Sequence, residues 1–509
     1  MSDYGISTST KPRTLFKEKK LLPIQKTRKR TSVQKLFLVA LLVWSPFTFF
    51  LLRYMWFMND LLYHDPHELE SQDHRAPIPI TEFTNTTALD KLIEDTDSSS
   101  SLNLVLTLLK QQKETNSHFD KDHIDPVTET ARCAKYGYEY KGRTSRRRIF
   151  YGSPIADDSW HAIAIHAIEA YDLYHTVAFS ESDISTADRT SHTKPRTLRF
   201  PPGSLNLEVM ESGIFGPATN VYVDQYVDDP DQRKSPDGFV IPHQEDLQRD
   251  ISLKRFIQNG MTKDDIAIFS DVDETFTRDF LLAAQICEIP QFVPGQTCHR
   301  PKIVSKTIIF EAAPDCITSN RAWFHPDMVL GECVDEIGDS SVHKPAKRLF
   351  SDRGRRMPGY EENVKENDGG MPNITMYPLW RPVDFRTVAG GDLHSDMDKL
   401  HIGFHFRNFF PSIEVMRNKF ATYTHGSEKA WTIPIGEIHQ DLNMTVNCMK
   451  GIPDEANAET IALKGGFAAL KGAIPVAFQD GNYRQKRFQE VKEMILEDEK
   501  KVKEKSGIV

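Results

Sequence analysis

The first sustained apolar run lies near the amino terminus. Leu36 to Leu52 carries no charge, Arg53 interrupts, and Tyr54–Met58 continues the apolar character. A helix needs about 20 apolar residues to cross the hydrocarbon layer. Residues 36–58 are therefore expected to form a single transmembrane signal anchor, with Arg53 snorkelling beside Tyr54 and Trp56. Pro46 is tolerated in membrane helices. The alternative is a cleaved signal peptide, but the preceding segment is long and no small-x-small site follows. Residues 59–130 change the pattern. Asp, Glu, Ser and Thr dominate, with one short apolar run, Leu102–Leu109. Such a stretch buries little, so an extended or mobile stem is expected.

From Ala131 onward, short apolar runs alternate with helical patterns. Arg146-Arg147-Arg148 leads into Ile149-Phe150-Tyr151, a strand pattern closed by Gly152. Residues 158–170 carry apolar side chains at helical spacing. Thr176–Phe179 is an apolar run of strand length ending at Ser180-Glu181-Ser182. Strand, helix, strand with short links predicts a parallel α/β sheet in a body spanning 131–509. Loops at the carboxyl ends of such strands carry ligands. Glu181 and Ser182 are thus candidate binding residues, with a solvated polar loop as the plain alternative. Further on, Ile413, Met416 and Phe420 form an apolar stripe read as core packing. Residues 486–505 are highly charged, and Phe488, Val491, Met494 and Ile495 give that helix one apolar face for docking on the body.

Charge and cysteines add a topology. The 509 residues carry a formal net charge of -9, which argues against a general nucleic-acid binder. No repeat of about 20–50 residues is visible, so solenoids and propellers are not expected. Residues 1–35 hold ten Lys or Arg against only Asp3 and Glu18. A basic flank of this kind stays cytoplasmic, which makes 1–35 a cytoplasmic tail and places everything after residue 58 in the lumen. All six cysteines (Cys133, Cys287, Cys298, Cys316, Cys333, Cys448) and the sequons at Asn85, Asn373 and Asn443 lie beyond the span. The even count suits disulfides in an oxidising compartment, though the pairing is not readable. Chance supplies a similar number of sequons, so these add little. No C-x-x-C occurs, which argues against a zinc ribbon or a thioredoxin-type site. Tail, single span, polar stem and lumenal body is the layout of Golgi carbohydrate enzymes. By that analogy a single-pass type II Golgi membrane protein is expected; the oligomeric state is not readable.

The most informative segment is Asp264–Glu288. Ile266–Phe269 is an apolar run of strand length, and Asp271, Asp273 and Glu274 follow at once. Thr277 then caps a helix whose apolar face holds Phe280, Leu281, Ala284 and Ile286. Three carboxylates within four residues repel one another, which points to a cation or a shared proton. Hard divalent cations such as Mn²⁺ and Mg²⁺ prefer oxygen ligands. D-x-D occurs five times in the chain, but only the copy at Asp271 follows a four-residue apolar strand. A capped turn is the plain alternative. Two enzyme classes share this context. In one, D-x-D holds the metal that neutralises a nucleotide-sugar diphosphate. In the other, the haloacid-dehalogenase-type phosphatases, the first Asp accepts the phosphoryl group. Asp271-Val272-Asp273-Glu274-Thr275 matches that pattern, and Gly391-Asp392-Leu393-His394-Ser395-Asp396 resembles its later acidic motif. Against it, Glu274 replaces the usual Gly, and a long α/β stretch precedes Asp271. A third reading is a lectin-like binder holding Ca²⁺ through Asp271 and Asp273.

The later segment His401–Glu428 separates these readings. Together with Asp264–Glu288 it resembles glycosyltransferase family 17, the β-1,4-mannosyl-glycoprotein 4-β-N-acetylglucosaminyltransferases that make bisecting GlcNAc. The resemblance rests on Asp271-Val-Asp273-Glu274 with Arg278-Asp279-Phe280-Leu281-Leu282, on Gly403-Phe404-His405, Phe410-Pro411-Ser412-Ile413, Lys419 and Thr422-Tyr423-Thr424-His425, and on Glu181-Ser182, Lys194-Pro195, Leu198-Arg199-Phe200 and Gln248-Arg249-Asp250. It spans about residues 146–480. Phe404 and Phe406-Arg407 stand where the family has Trp and small polar residues, and 291–400 matches poorly.

The resemblance implies a GT-A-like α/β nucleotide-diphosphate-sugar transferase domain that moves N-acetylglucosamine from UDP-GlcNAc to a mannose of N-linked glycans. It implies Asp271 and Asp273 as metal and diphosphate residues, with His405 as a metal ligand or donor-phosphate contact. Arg249, His425, Glu181 and Ser182 fall on the donor side. Glu274, Asp279 and Glu181 are candidates for the base that inversion requires. From spacing alone, His405 on an apolar strand reads as a core residue, and His425 as a cation at a helix carboxyl end.

Overall fold

Apolar strands and helices alternate over residues 149–269 and wind into the parallel half of a seven-stranded sheet. The computed structural model describes residues 86–115, 123–156, 159–184, 196–226, 244–289, 302–304, 307–318, 325–339, 347–349, 373–375, 392–393, 401–422, 429–452, 458–460 and 474–506. All of them fall in the unit Ile80–Val509. The helices α1 (Thr86–Glu94), α2 (Ser101–Thr115) and α3 (Pro126–Lys135) come first. Next are β1 (Ile149–Ile155), α4 (Trp160–Glu169), β2 (Thr176–Ser182), α5 (Leu205–Glu211), β3 (Asn220–Tyr226), α6 (Gln244–Gln258) and β4 (Ile266–Phe269). β5 (Glu274–Phe276), α7 (Arg278–Ile286), β6 (Lys302–Val304), β7 (Thr307–Glu311), β8 (Cys316–Thr318) and β9 (Asp327–Leu330) follow.

A small ribbon, β10 (Lys347–Leu349) with β11 (Asn373–Thr375), precedes β12 (Asp392–Leu393) and β13 (Gly403–Arg407). The chain closes with α8 (Ile413–Thr422), α9 (Ile435–Ile438), α10 (Gln440–Met449), β14 (Ala458–Thr460) and α11 (Gly481–Ser506).

The large sheet has the order β12-β6-β9-β4-β1-β2-β3. β4, β1, β2 and β3 are parallel, and β9 runs antiparallel between β4 and β6. The α/β expectation holds, with antiparallel β9 added to this sheet and further antiparallel pairs in the second. Successive residues of β1 face opposite sides. Ile149 and Tyr151 join the main core with Ile163 and Ile165 of α4. Phe150 packs with Phe256 of α6 on the other side. α6 comes so close to β1 that a Cβ on Gly152 would lie 2.7 Å from that of Ser252. Glycine is required at this crossing by contact, not by backbone conformation.

The second sheet has the order β14-β8-β7-β13-β5. β13 pairs parallel with β7 and antiparallel with β5, with His405 directly opposite Glu274. β5 begins at the residue that ends the acidic turn after β4, so this one turn hands the chain from the first sheet to the second. Disulfides hold both neighbourhoods. Cys133 of α3 is bonded to Cys287 after α7, Cys316 of β8 to Cys448 of α10, and Cys333 is also disulfide-bonded.

One expectation needs correction. The segment read as an extended stem carries α1, α2 and the start of α3. Leu89, Val105, Leu106 and Leu109 are fully embedded in the main core, and Ser101 N donates to Glu490 of α11 at 2.7 Å. A helix of this length is marginal alone, and its stability comes from packing; α2 finds that packing on α4 and α11. The folded body therefore begins before Ala131, at or before Thr86. The tail helix docks as expected, with Val491 and Ile495 buried and Phe488 and Met494 packed beside them. Among the described residues no helix is long and apolar enough to cross a membrane. The expected span 36–58 and the basic tail 1–35 lie outside the described residues.

Candidate functional site

The strand order reverses between β1 and β4: β2 and β3 extend the sheet to one side, β4 and its neighbours to the other. In open α/β sheets the crevice outside the carboxyl ends of the strands at such a point is where ligands bind. Asp271-Val272-Asp273-Glu274 occupies that position. It is a β-turn in which Glu274 N donates to Asp271 O at 3.0 Å.

Every carbonyl from Ser270 to Asp273 is held from a different direction. Arg249 Nη1 of α6 donates to Ser270 O at 2.9 Å. Tyr151 OH of β1 donates to Asp271 O at 3.0 Å. His166 Nδ1 of α4 lies 3.0 Å from Val272 O, and Phe406 N of β13 donates to Asp273 O at 2.7 Å. Val272 itself is buried. A turn with its backbone anchored on four elements presents its side chains in fixed directions, as a preorganised site requires.

Those directions differ. Asp271 faces α6, where its Oδ1 accepts from Arg249 Nη2 at 2.8 Å; its side chain is 40% exposed. Asp273 faces the second sheet, where His405 Nε2 lies 3.5 Å from its Oδ2. Glu274 is fully buried, and its Oε2 accepts from Ser270 Oγ at 2.8 Å and from Asp271 N at 3.1 Å. One ligand atom each from Asp273, Glu274 and His405 lie within 4.8 Å of one another. Two carboxylates and an imidazole form a donor set that suits a divalent cation such as Mn²⁺, which accepts both oxygen and nitrogen.

The grouping differs from the expected metal set at one position: Glu274 lies with Asp273 and His405, while Asp271 pairs with Arg249. Arg249 is not open to a donor molecule through these atoms. Its guanidinium is buried and spent on the turn. Glu181 caps the chain after β2: its Oε1 accepts from Arg199 N at 2.6 Å and its Oε2 from Phe200 N at 3.0 Å. Burial raises its pKa, with those two amides opposing the shift. Ser182 is buried and its Oγ accepts from Ile184 N. Both are local supports of the β2 carboxyl end, and the contacts of Glu181 are with Arg199 and Phe200 and not with the acidic turn. Asp279 makes its contacts away from the turn. It accepts from Lys135 Nζ at 2.6 Å, Tyr136 OH at 2.8 Å and Arg132 Nε at 3.1 Å, tying α7 to α3. Burial pushes its carboxyl up, but these contacts more than offset that and hold it below the ordinary aspartate value. His425 lies outside the described residues. Lys419 places its ammonium 4.9 Å from the Phe410 ring centroid, as a packing contact.

Reasoning from sequence missed Tyr151, His166, Arg407 and Glu311. His166 lies inside the helix expected at 158–170. Burial depresses its pKa to about 4, with its bond to Val272 O opposing the shift, and Tyr174 OH lies 3.0 Å from Nε2. The signal was a histidine amid the apolar residues Ile163–Ile168 of that helix. Arg407 sits two residues after His405 on the same strand, hence on the same face. Its Nη1 lies 2.7 Å from Asp441 Oδ1 and its Nε 3.0 Å from Glu311 Oε1 of β7. Glu311 also accepts from Thr318 Oγ1 and from Asn408 Nδ2. Burial raises its pKa and Arg407 opposes that. The period of two could have found Arg407; nothing local marked Glu311.

No family model, no curated protein and no solved structure matches the chain.

Proposed function

We propose that the chain is an inverting, cation-assisted glycosyltransferase that moves N-acetylglucosamine from UDP-GlcNAc in β1,4 linkage to a mannose of N-linked glycans. Its body would be GT-A-like and lumenal, anchored in the Golgi membrane by residues 36–58. The observation that carries this reading is the Asp273–Glu274–His405 trio at the carboxyl end of β4, beside the point where the strand order reverses. A nucleotide diphosphate has to be met there by positive charge, and the trio supplies donors for a divalent cation that neutralises the departing diphosphate when bound. Asp273, Glu274 and His405 hold that cation. Asp271, the most open carboxylate of the turn, faces the substrates, and Arg249 fixes its direction. The disulfides are of the kind an oxidising lumen permits.

The phosphatase reading asks a cation to sit between Asp271 and the later acidic motif. Asp392 of that motif is on β12, three strands from β4 in the sheet order. At about 4.8 Å per strand that is roughly 14 Å, too far for one ion. Asp396 lies outside the described residues.

The test is to incubate the purified protein with Mn²⁺, a panel of UDP- and GDP-sugars and a biantennary N-glycan, and to follow acceptor mass. A gain of one N-acetylhexosamine from UDP-GlcNAc is expected. Transfer from a GDP-sugar would keep the class and replace the donor. Phosphate release from a simple monoester, abolished by Asp271→Asn and with no transfer, would establish the phosphatase instead. Calcium-dependent glycan binding without turnover would establish the lectin.

A further inference from the structure

β13 puts His405 and Arg407 on one face of the second sheet, so the guanidinium stands next along the strand from the trio. Arg407 is 7% exposed. Two carboxylates from different elements grip it, Glu311 at Nε and Asp441 at Nη1. The Nε contact is an ion pair without hydrogen-bond geometry, and both Nε and Nη2 are buried with no hydrogen-bond partner among the described residues; Nη2 is the one with no carboxylate beside it. Burial opposes its charge, but Glu311, Asp441 and Asp273 more than offset that, so Arg407 lies within electrostatic reach of Asp273.

A buried charged donor left unbonded is costly, and a bond made to it by an anion is correspondingly strong. Asp441 holds Nη1 and Glu311 lies beside Nε, which limits the directions the Nη2 hydrogens can take. Charge decides when an anion can use them. Asp273, Glu274, Glu311 and Asp441 are four carboxylates against one guanidinium, an excess of three negative charges when all are ionised. A divalent cation on the trio cuts that excess to one and supplies the direct attraction that Arg407, already paired twice, cannot supply alone.

We propose that Nη2 of Arg407 donates to a phosphate oxygen of a diphosphate group, and that this contact forms only once a divalent cation occupies Asp273, Glu274 and His405. The inference rests on the nucleotide-diphosphate reading above. It adds a residue at a position where the resembled family has a small polar side chain, together with an order of binding, cation before diphosphate.

The test uses the full chain in detergent and isothermal titration. Mn²⁺ alone, then UDP, inorganic pyrophosphate and uridine, each with and without Mn²⁺, are titrated into the wild type and into Arg407→Lys. Lysine keeps a cation between Glu311 and Asp441 but lacks the Nη2 donors. Mn²⁺ affinity should stay within about twofold. UDP and pyrophosphate should bind the wild type only with Mn²⁺ present, and their affinity should fall about tenfold or more in the variant, the range for a lost charge-assisted bond. Uridine should bind both proteins alike.

Equal pyrophosphate affinity in both proteins would overturn the Arg407 contact and leave the transferase reading standing. Diphosphate binding that is as tight without a cation would overturn the order. A wild type that binds neither UDP nor pyrophosphate at all would remove the transferase reading itself. Should the variant fail to fold, wild-type protein labelled with ¹⁵N-arginine answers instead. One buried guanidinium signal must move when pyrophosphate joins the Mg²⁺-loaded protein, and none moving would overturn the proposal.

Discussion

The two ends of the acidic turn do different work. At its start, Asp271 meets Arg249 in a closed pair of opposite charges, reached from the neighbouring helix α6. At its end, Asp273 and Glu274 meet His405, delivered by a strand more than a hundred residues later, in a cluster with an excess of negative charge. The first arrangement is already balanced in charge, one carboxylate against one guanidinium. The second is incomplete without a cation. Equal spacing in a D-x-D motif therefore does not mean equal roles: the turn rotates its two aspartates onto different neighbours, and the neighbours decide what each can bind.

The largest expected effect separates the two ends directly. Asp273→Asn should lower turnover by about 10²–10³-fold, the range for removing one group that stabilises developing charge, and should weaken Mn²⁺ binding measured by titration. Asp271→Asn should leave Mn²⁺ affinity within a few-fold. If Asp271→Asn abolishes Mn²⁺ binding and Asp273→Asn spares it, the two ends have been assigned the wrong way round.

A pH effect comes next and reports on the anchoring of the turn. His166 has a folded pKa depressed to about 4 from 6.5. The unfolded chain therefore takes up a proton at this position at higher pH than the folded one does. Its contribution is fully present above about pH 6.5 and is lost as pH falls towards 4, by about 3 kcal/mol at about 1.4 kcal/mol per pKa unit. Urea unfolding at pH 7 and pH 5 should show this slope in the wild type and a shallower one in His166→Gln. Parallel slopes in the two proteins would exclude His166 as the source.

Arg249→Met sharpens the comparison from the other side. It strips the Ser270 carbonyl and Asp271 of their donor while leaving the trio's own atoms in place. Breaking a buried pair costs about 3–5 kcal/mol, but Asp271 is 40% exposed and can turn to water, so about 2 kcal/mol is expected in urea unfolding. Mn²⁺ affinity should change little. A loss of Mn²⁺ binding as large as that of Asp273→Asn would mean that the two ends are one site.

How much of this the sequence revealed depends on the range of the contacts. Ile266–Phe269 is strand in the structure as read, Thr277 caps α7 by accepting from Phe280 N, and the helix expected at 158–170 runs Trp160–Glu169. These rest on local patterns of apolar spacing and capping. The placement of His405 opposite Glu274 depends on antiparallel pairing across the sequence, which no local pattern specifies. Asp279 read as an acid beside a catalytic turn, yet α3 had already claimed it through Arg132, Lys135 and Tyr136. α2 was misread for the same reason. Its polar surroundings suggested an extended stem, while α4 and α11, remote in sequence, provide the surface that makes it a helix.

Asp279 supplies the smallest and most discriminating prediction, because its contacts lie with Arg132, Lys135 and Tyr136 and not with the acidic turn. Its partners Lys135 and Arg132 form a half-exposed network at the α3–α7 junction, where the Cys133–Cys287 disulfide already joins the same two elements. Exposed pairs of this kind contribute about 0–1 kcal/mol, and the disulfide should limit any movement their loss allows. Because the folded carboxyl is held below its ordinary value, the contribution is present above the ordinary aspartate range and is lost on acidification through the folded value. Asp279→Asn should therefore cost under about 1 kcal/mol at pH 7, nothing further at acid pH, and leave both turnover and Mn²⁺ affinity within about twofold. A turnover loss of 100-fold or more with unchanged stability would return Asp279 to the role of base, and would mean that α3 releases it when the acceptor binds.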